Sequence, residues 1–185
     1  MSARLRGVLL LCAVLGASLP AHAHKPSDAY LTLSGAGRDA LRWDIALRDL
    51  DYALGLDANG DGAIDWGELR ARGAELRAEA AARLDFFADG DARCALAAPA
   101  DGPALAVEQH GDGGYAVLNY AIACPDGRAP QRLSYRLLFD LDPTHRGLLR
   151  LAGADGAQGS VVLSAARAGY ALPAAPPGAL AALVE

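Results

Sequence analysis

Lysine, methionine and aromatic residues are scarce in this 185-residue chain: Lys25 is the only lysine, there is one methionine, and Phe, Trp and Tyr make up 6%. The formal net charge at pH 7 is −5, so the chain has no excess of basic residues that would attract nucleic acid. It contains no glycine-rich phosphate loop, nucleophile elbow or His-Glu-x-x-His motif, and we therefore do not expect an enzyme. Apolar residues make up 52% of the chain, enough for the core of about one domain.

Long apolar runs are also lacking, except at the amino terminus. There, Arg4 and Arg6 precede an apolar run at residues 8–15, and the small-residue pattern Ala-His-Ala follows at residues 21–23. This order is typical of a secretory signal peptide over residues 1–23, and the run is too short to remain as a membrane-spanning helix. We expect cleavage after residue 23 and a periplasmic or secreted mature chain that begins at His24, with no transmembrane helix.

The chain has only three cysteines. Cys12 lies inside the apolar run of the signal peptide, and Leu11 stands where a lipoprotein acceptor site requires a small residue. The mature chain keeps Cys94 and Cys124, and an even pair in an oxidising compartment predicts a disulfide. The alternative is a pair of buried free thiols.

Alternating apolar and polar residues predict a fold that is mainly β. DAYLTL and ALRWDIALRDL alternate on either side of the turn sequence SGAGRD, which predicts a β-hairpin. Later β-prone runs are separated by turn-forming clusters, and they favour an antiparallel β-sandwich-like domain over residues 24–172. These runs are RCALAA, ALAVEQH, GYAVLNYAIAC, QRLSYRLLFDL, RGLLRLA and GSVVLSAA.

A helical insertion interrupts the strands at about residues 49–87. DLDYALGL is long enough for two helical turns, and the segment 66–87 has apolar residues at helical spacing opposite Arg and Glu. We therefore predict one amphipathic helix over this segment. Its apolar positions are Leu69, Leu76, Ala80, Leu84 and Phe87.

The carboxyl-terminal segment 173–185 is rich in proline and then apolar, which predicts a linker. The alternative is a tail that packs loosely on the domain.

The sequence DANGDGAIDWGE, residues 57–68, has oxygen-bearing side chains at the intervals of an EF-hand calcium loop. Glycine stands at position 6 and an apolar residue at position 8, as that loop requires. Calcium takes six to eight oxygen ligands, and a short segment supplies them only when it wraps around the ion. The expected ligands are Asp57, Asn59, Asp61, the carbonyl of Ala63, Asp65 through a water molecule, and both carboxylate oxygens of Glu68.

Two features of this loop favour a structural site over a calcium switch. The chain contains no second twelve-residue loop with ligands at positions 9 and 12, so Ile64 at position 8 lacks the usual EF-hand partner. The helix before the loop is short and contains Gly55. We therefore expect a single calcium site that orders the loop without opening a groove.

A transition-metal site is a second hypothesis for the mature amino terminus. His24 would present a free amine and an imidazole together, and imidazole suits nickel, cobalt and copper. His110 or His145 could join it. The alternative is an exposed polar terminus without a metal.

The segment FDLDPTHRG brings Asp140, Asp142 and His145 together in sequence. These residue types could support acid and base chemistry, and a hydrolase is therefore a third hypothesis, which we rank last. Asp-Pro followed by Thr, His, Arg and Gly is also an ordinary turn between two strands, and we predict the turn.

The segments HKPSDAYLTL, RWDIALRDLDYALGLDANGDGAIDWGEL and LLFDLDPTHRGLLRL resemble the periplasmic amino-terminal half of HupE/UreJ-type bacterial membrane proteins. The resemblance implies a periplasmic accessory domain that works with a membrane permease in nickel or cobalt handling. The membrane half of that family has no counterpart in this sequence, so transport activity does not follow from the resemblance. The calcium ligands rest on the spacing in this chain alone.

Overall fold

The computed structural model describes residues 27–153 and 156–174. The predicted signal peptide, His24 and residues 175–185 of the predicted linker lie outside the described residues. The described residues end with 172–174. Leu172 is buried, and the guanidinium of Arg38 donates to the carbonyls of Pro173 and Ala174, so the first two residues of the predicted linker contact the domain.

The described residues form ten strands and three α-helices. The helices are α1 (Leu47–Leu54), α2 (Trp66–Ala71) and α3 (Gly73–Ala82). The strands are β1 (Asp28–Ser34), β2 (Ala40–Ala46), β3 (Leu84–Phe87), β4 (Arg93–Ala97), β5 (Leu105–His110), β6 (Gly113–Ala123), β7 (Arg132–Tyr135), β8 (Arg146–Gly153), β9 (Gly156–Leu163) and β10 (Gly169–Ala171).

The strands belong to one mixed sheet in the order β10-β7-β3-β4-β6-β2-β1-β8-β9, with β5 paired to β6. The sheet is nearly closed into a barrel. This confirms the predicted fold class, mainly β with an α insertion. One pairing differs from the antiparallel expectation, because β1 and β8 run parallel, with Asp28 opposite Arg146.

The predicted hairpin is confirmed as β1 and β2, which pair in antiparallel register with Leu31 opposite Trp43. Leu31, Leu33 and Trp43 point into the core and are fully or almost fully buried. Tyr30 and Thr32, one residue out of phase, lie on the opposite face of the sheet and are half-buried. The hairpin therefore separates an apolar inner face from a polar outer face.

The single helix predicted over residues 66–87 is wrong in two respects. It breaks at Arg72 between α2 and α3, and residues 84–87 form strand β3. The β3 backbone pairs with β4 on one side and β7 on the other, so sheet pairing overrides the helical spacing of Leu84 and Phe87. The buried positions Leu69, Leu76 and Ala80 agree with the predicted apolar face.

The predicted strand QRLSYRLLFDL is shorter than expected. Only Arg132–Tyr135 forms a strand, and turns follow up to residue 144. Leu138, inside the first of these turns, adopts a left-handed backbone conformation with φ 58°, which is incompatible with a strand at this position. This confirms the turn predicted ahead of His145.

Cys94 and Cys124 form the predicted disulfide, with their Cα atoms 4.0 Å apart. The bond joins β4 to the end of β6, next to the paired residues Ala95 and Ala123. It closes a loop with a sequence separation of 30 residues, which stabilises the fold by about 3.5 kcal/mol on the chain-entropy model.

Tyr135 packs strand β7 against strand β8, two strands that lie far apart in the order of the sheet. A Cβ atom at Gly147 would lie 2.8 Å from the Tyr135 ring, so glycine is needed for this close approach. The Tyr135 ring also lies 5.8 Å from the Trp43 ring, centroid to centroid. These contacts fill part of the interior that the curved sheet encloses.

None of the helices in the described residues is both long and apolar enough to span a membrane.

Candidate functional site

The predicted calcium loop lies between α1 and α2, and both of its flanking helices end or begin with a defined cap. Gly55 ends α1 in a left-handed conformation, φ 62°, and donates its N–H to the carbonyl of Asp51. Asp65 and Glu68 form a capping box at the start of α2: Asp65 accepts from the N–H of Glu68 at 2.8 Å, and Glu68 accepts from the N–H of Asp65 at 3.1 Å. The loop is therefore held at both ends.

Asp57, the first loop position, is half-buried and organises the turn. Its carboxylate accepts hydrogen bonds from three successive N–H groups, those of Gly60 at 2.7 Å, Asp61 at 3.2 Å and Gly62 at 2.9 Å. Gly60 and Gly62 have φ 73° and 83°, values that favour glycine. The backbone therefore wraps around the carboxylate of Asp57.

Glu68, the twelfth loop position, folds back over the start of the loop. Its Oε1 accepts from the N–H of Ala58 at 2.9 Å and of Asn59 at 3.2 Å. The half-buried carboxylate of Glu68 thus lies beside the backbone next to Asp57. The two ends of the twelve-residue segment meet, as a cation-binding loop requires.

The middle ligand positions are exposed. The side-chain amide of Asn59 donates to Asp61 at 3.0 Å, and Asp61 accepts from the N–H of Ala63 at 2.9 Å. Ile64, which lacks the usual EF-hand partner, is half-buried and packs against the hydrophobic core of the domain instead. The loop provides oxygen donors only, which fits a hard cation such as calcium.

A second cluster of polar side chains lies on the outer face of the sheet, and the sequence did not point to it. Asp44 on β2 lies near Glu108 and His110 on β5, and one potential ligand atom from each lies within 4.8 Å of the others. We call these three residues the outer-face cluster. Arg42 donates to both oxygens of Asp44, at 2.8 and 2.9 Å, and to Glu108 at 2.5 Å. The hydrogen bond to Arg42 lowers the pKa of Glu108.

This cluster borders an open groove of about 1100 Å³. The groove runs over the outer faces of β1, β2 and β8 towards β9, and the turn between β5 and β6 forms its other side. Side chains of several kinds line it, including Tyr30, Thr32, Leu148, Arg150 and Ser160.

A third cluster links β1, α1, β7 and β8 inside the protein. Ser27 donates to Asp49 at 2.8 Å and is 2.6 Å from Nδ1 of His145, while Nε2 of His145 is 2.6 Å from the hydroxyl of Tyr135. His145 and Tyr135 are fully buried. We call this chain Asp49–Ser27–His145–Tyr135 the buried relay.

Donor counting assigns the protons of the buried relay. The single proton of Ser27 goes to the carboxylate of Asp49, so the serine oxygen must accept from Nδ1–H of His145. Nε2 of His145 is then the acceptor for the Tyr135 hydroxyl. Burial lowers the pKa of His145 from 6.5 to about 4 and raises the pKa of Tyr135, so both side chains are neutral at pH 7.

The residues considered for a hydrolase do not form one acid and base set. Arg83 holds Asp140 at 2.9 Å, and Asp142 accepts from the backbone N–H and hydroxyl of Thr144. Neither carboxylate bonds to His145, whose two ring nitrogens contact Ser27 and Tyr135. The relay also differs from a catalytic triad, because the carboxylate bonds to the serine instead of the histidine.

Comparisons with known proteins give no family assignment. The chain matches no protein-family model, and no curated protein matches it. Function must therefore be inferred from the fold, the loop at residues 57–68, the outer-face cluster and the buried relay.

Sequence reasoning missed the outer-face cluster and the buried relay. The signal for the first is weak: Arg42 and Asp44, like Glu108 and His110, are two residues apart, so each pair lies on one face of a strand. Nothing in the sequence indicates which two faces meet. Ser27 and His145 are 118 residues apart, and only the parallel pairing of β1 with β8 brings them together.

Proposed function

We propose that this protein is a periplasmic or secreted module that binds one calcium ion in the loop at residues 57–68. The observation that supports the proposal best is the position of Asp57 and Glu68. Their carboxylates lie at the two ends of the twelve-residue segment and are both fixed by backbone N–H groups of the loop. A cation between them would relieve the repulsion of the four carboxylates.

The side chains of Asp57, Asn59 and Asp61 would supply three of the oxygens, and the carbonyl of Ala63 a fourth. Asp65 would act through a water molecule, and Glu68 would close the shell with two oxygens. Asp65 and Glu68 already serve as the capping box of α2, so calcium binding and the start of this helix would share the same two residues. Extracellular calcium modules commonly have dissociation constants of roughly 10⁻⁴ to 10⁻³ M.

We infer a structural role for calcium rather than a switch. Leu50 on α1, Leu56 before the loop and Leu69 on α2 are all buried in the common core. Opening the two helices would expose these side chains, at a cost of about 1.5–3 kcal/mol each. Calcium would therefore order the loop on a framework that stays closed and present the exposed surface around Tyr52 and Trp66 in one conformation.

The alternative is a periplasmic domain that captures nickel, cobalt or copper through His24 for a membrane permease, as the resemblance to HupE/UreJ-type proteins implies. His145 gives this alternative little support. Both of its ring nitrogens are already engaged in the buried relay, so metal binding would break those bonds. We therefore keep calcium as the main proposal.

The test is isothermal titration of the metal-free mature chain, starting at His24, with calcium, magnesium and nickel. We expect one calcium site, lost in Glu68→Gln and retained in the matched control Glu79→Gln, an exposed carboxylate on α3. Nickel binding that disappears in His24→Ala would favour the alternative. Absence of calcium binding up to millimolar concentrations would contradict the proposal.

A further inference from the structure

The outer-face cluster offers a donor set of a different kind from the calcium loop. It contains one imidazole and two carboxylates, and such mixed nitrogen and oxygen ligands suit zinc and other first-row transition metals. Nε2 of His110 lies 3.2 Å from Oδ2 of Asp44. Two ligand atoms on one tetrahedral zinc ion, each about 2.0–2.2 Å from the metal, would be separated by roughly 3.3–3.6 Å, so this pair needs little movement.

The framework holds two of the three ligands firmly. The side chain of Asp44 is 8% exposed on the central strand β2. The His110 ring stacks on the buried ring of Tyr115, with centroids 4.1 Å apart and planes at 19°. Glu108 is 48% exposed and is the ligand with freedom to move towards a metal.

Arg42 compensates the charge of the two carboxylates when no metal is bound. Its guanidinium bonds to both Asp44 and Glu108, and its side chain is 40% exposed at the edge of the groove. A divalent cation would compete with this guanidinium for the carboxylate oxygens. The open groove of about 1100 Å³ gives Arg42 room to withdraw.

We propose that Asp44, Glu108 and His110 form a second metal site, which takes zinc or a similar first-row transition metal and leaves one coordination position open to the groove. The site is independent of the calcium loop, because it shares no residue with it. The open position could accept a water molecule or a metal-binding group of a ligand in the groove, as in zinc sites with three protein ligands.

The test is titration of the metal-free mature chain with zinc in the presence of excess calcium, which keeps zinc from the calcium loop. We expect one zinc site that is lost in His110→Phe, a change that keeps an aromatic ring on Tyr115, and lost in Glu108→Gln. Glu68→Gln should bind zinc as the unchanged protein does. Because Arg42 competes with the metal, Arg42→Gln should bind zinc more tightly, by about tenfold or more.

His24 could also bind zinc, so His24→Ala is measured in the same series. Zinc binding that disappears in His24→Ala but survives in His110→Phe and Glu108→Gln would overturn the proposal, as would no zinc binding at all. Cobalt absorption provides a second readout, since a tetrahedral site gives intense visible bands. Circular dichroism of each metal-free variant shows whether it folds, and Glu108→Gln, at an exposed position, keeps the test decisive if His110→Phe does not.

Discussion

The loop at residues 57–68 and the buried relay are both networks of polar groups, but they are built from opposite kinds of contact. In the loop, hydrogen bonds join residues at most ten positions apart, mainly from backbone N–H groups to carboxylates. In the relay, side chains bond to side chains, and Ser27 and His145 are 118 positions apart. The loop is a local structure at the surface, whereas the relay exists only in the folded core.

This difference predicts where stability resides. A solvated hydrogen bond in the loop exchanges with water and contributes little, about 0.5–1.5 kcal/mol. The hydrogen bonds of His145 in the buried relay are inaccessible to solvent, so a polar group that loses its partner there cannot bond to water instead. We expect substitutions in the relay to change the free energy of unfolding, and substitutions in the loop to change calcium binding.

The largest expected effect is that of His145→Ala. The change leaves a cavity in the core, removes the hydrogen-bond partner of the Tyr135 hydroxyl and removes one of the two partners of Ser27, which keeps Asp49. We therefore expect a loss of about 3–5 kcal/mol in the free energy of unfolding. Urea unfolding followed by circular dichroism measures it. Glu79→Ala, at an exposed position, is the control and should stay within about 0.5 kcal/mol. A similarly small loss for His145→Ala would mean that the relay contributes nothing to stability.

The second prediction concerns pH. The unfolded chain binds a proton at His145 near pH 6.5, whereas the folded chain, in which burial lowers the pKa of His145, does so near about 4. Between these values the unfolded state binds more protons, so stability falls as pH falls from 6.5 to 4, by about 3 kcal/mol from this residue. Well above pH 6.5, His145 is neutral in both states and adds no pH dependence.

The charged groups around His145 act on this shift in both directions. Asp49 and Asp142 raise its pKa, and Arg146 lowers it further, but burial is the largest cause. Urea unfolding at several pH values, repeated on His145→Gln, isolates the contribution of the histidine from that of the carboxylates. An equally steep loss of stability below pH 6.5 in the variant would contradict the assignment to His145.

The third prediction concerns calcium. If the loop binds calcium, an ion concentration of about 100 times the dissociation constant should raise the free energy of unfolding by about 2.7 kcal/mol. Thermal unfolding with and without calcium measures this gain. Glu68→Gln should lose the gain, while His145→Gln should keep it, because the two regions share no residue.

The smallest effect is expected for Asn59→Ala in the absence of calcium. Asn59 is exposed, and its side-chain contacts are limited to Asp61 within the loop. We expect a loss of about 0.5 kcal/mol or less in urea unfolding, together with clearly weaker calcium binding by titration. A loss of several kcal/mol would show that the loop is coupled to the core, and the contrast between the two regions would fail.

The fold could be predicted where local patterns and pairing agree. Tyr30 and Thr32 alternate with Leu31 and Leu33, and the strand placed them on the two faces of the sheet as expected. The helical spacing of Leu84, by contrast, misled the prediction, because β3 gains backbone partners on both sides. A local pattern cannot report partners that lie far away in sequence.

The candidate sites divide in the same way. Spacing alone predicted the loop at residues 57–68, because all the expected oxygen ligands, Gly62 and the start of α2 lie within twelve consecutive residues. Spacing could not identify the outer-face cluster, since Asp44 and His110 meet only when β2 and β5 flank β6.

By itself the sequence determined the mainly β class, the first hairpin, the pairing of Cys94 with Cys124 and the calcium-loop motif. Each depends on short-range periodicity or on the two cysteines that lie outside the apolar run at the amino terminus. The tertiary structure alone decided the parallel β1–β8 pair, the buried relay and the outer-face cluster. These depend on contacts across 60 residues or more, which form only when burial of the common core fixes how the strands are arranged.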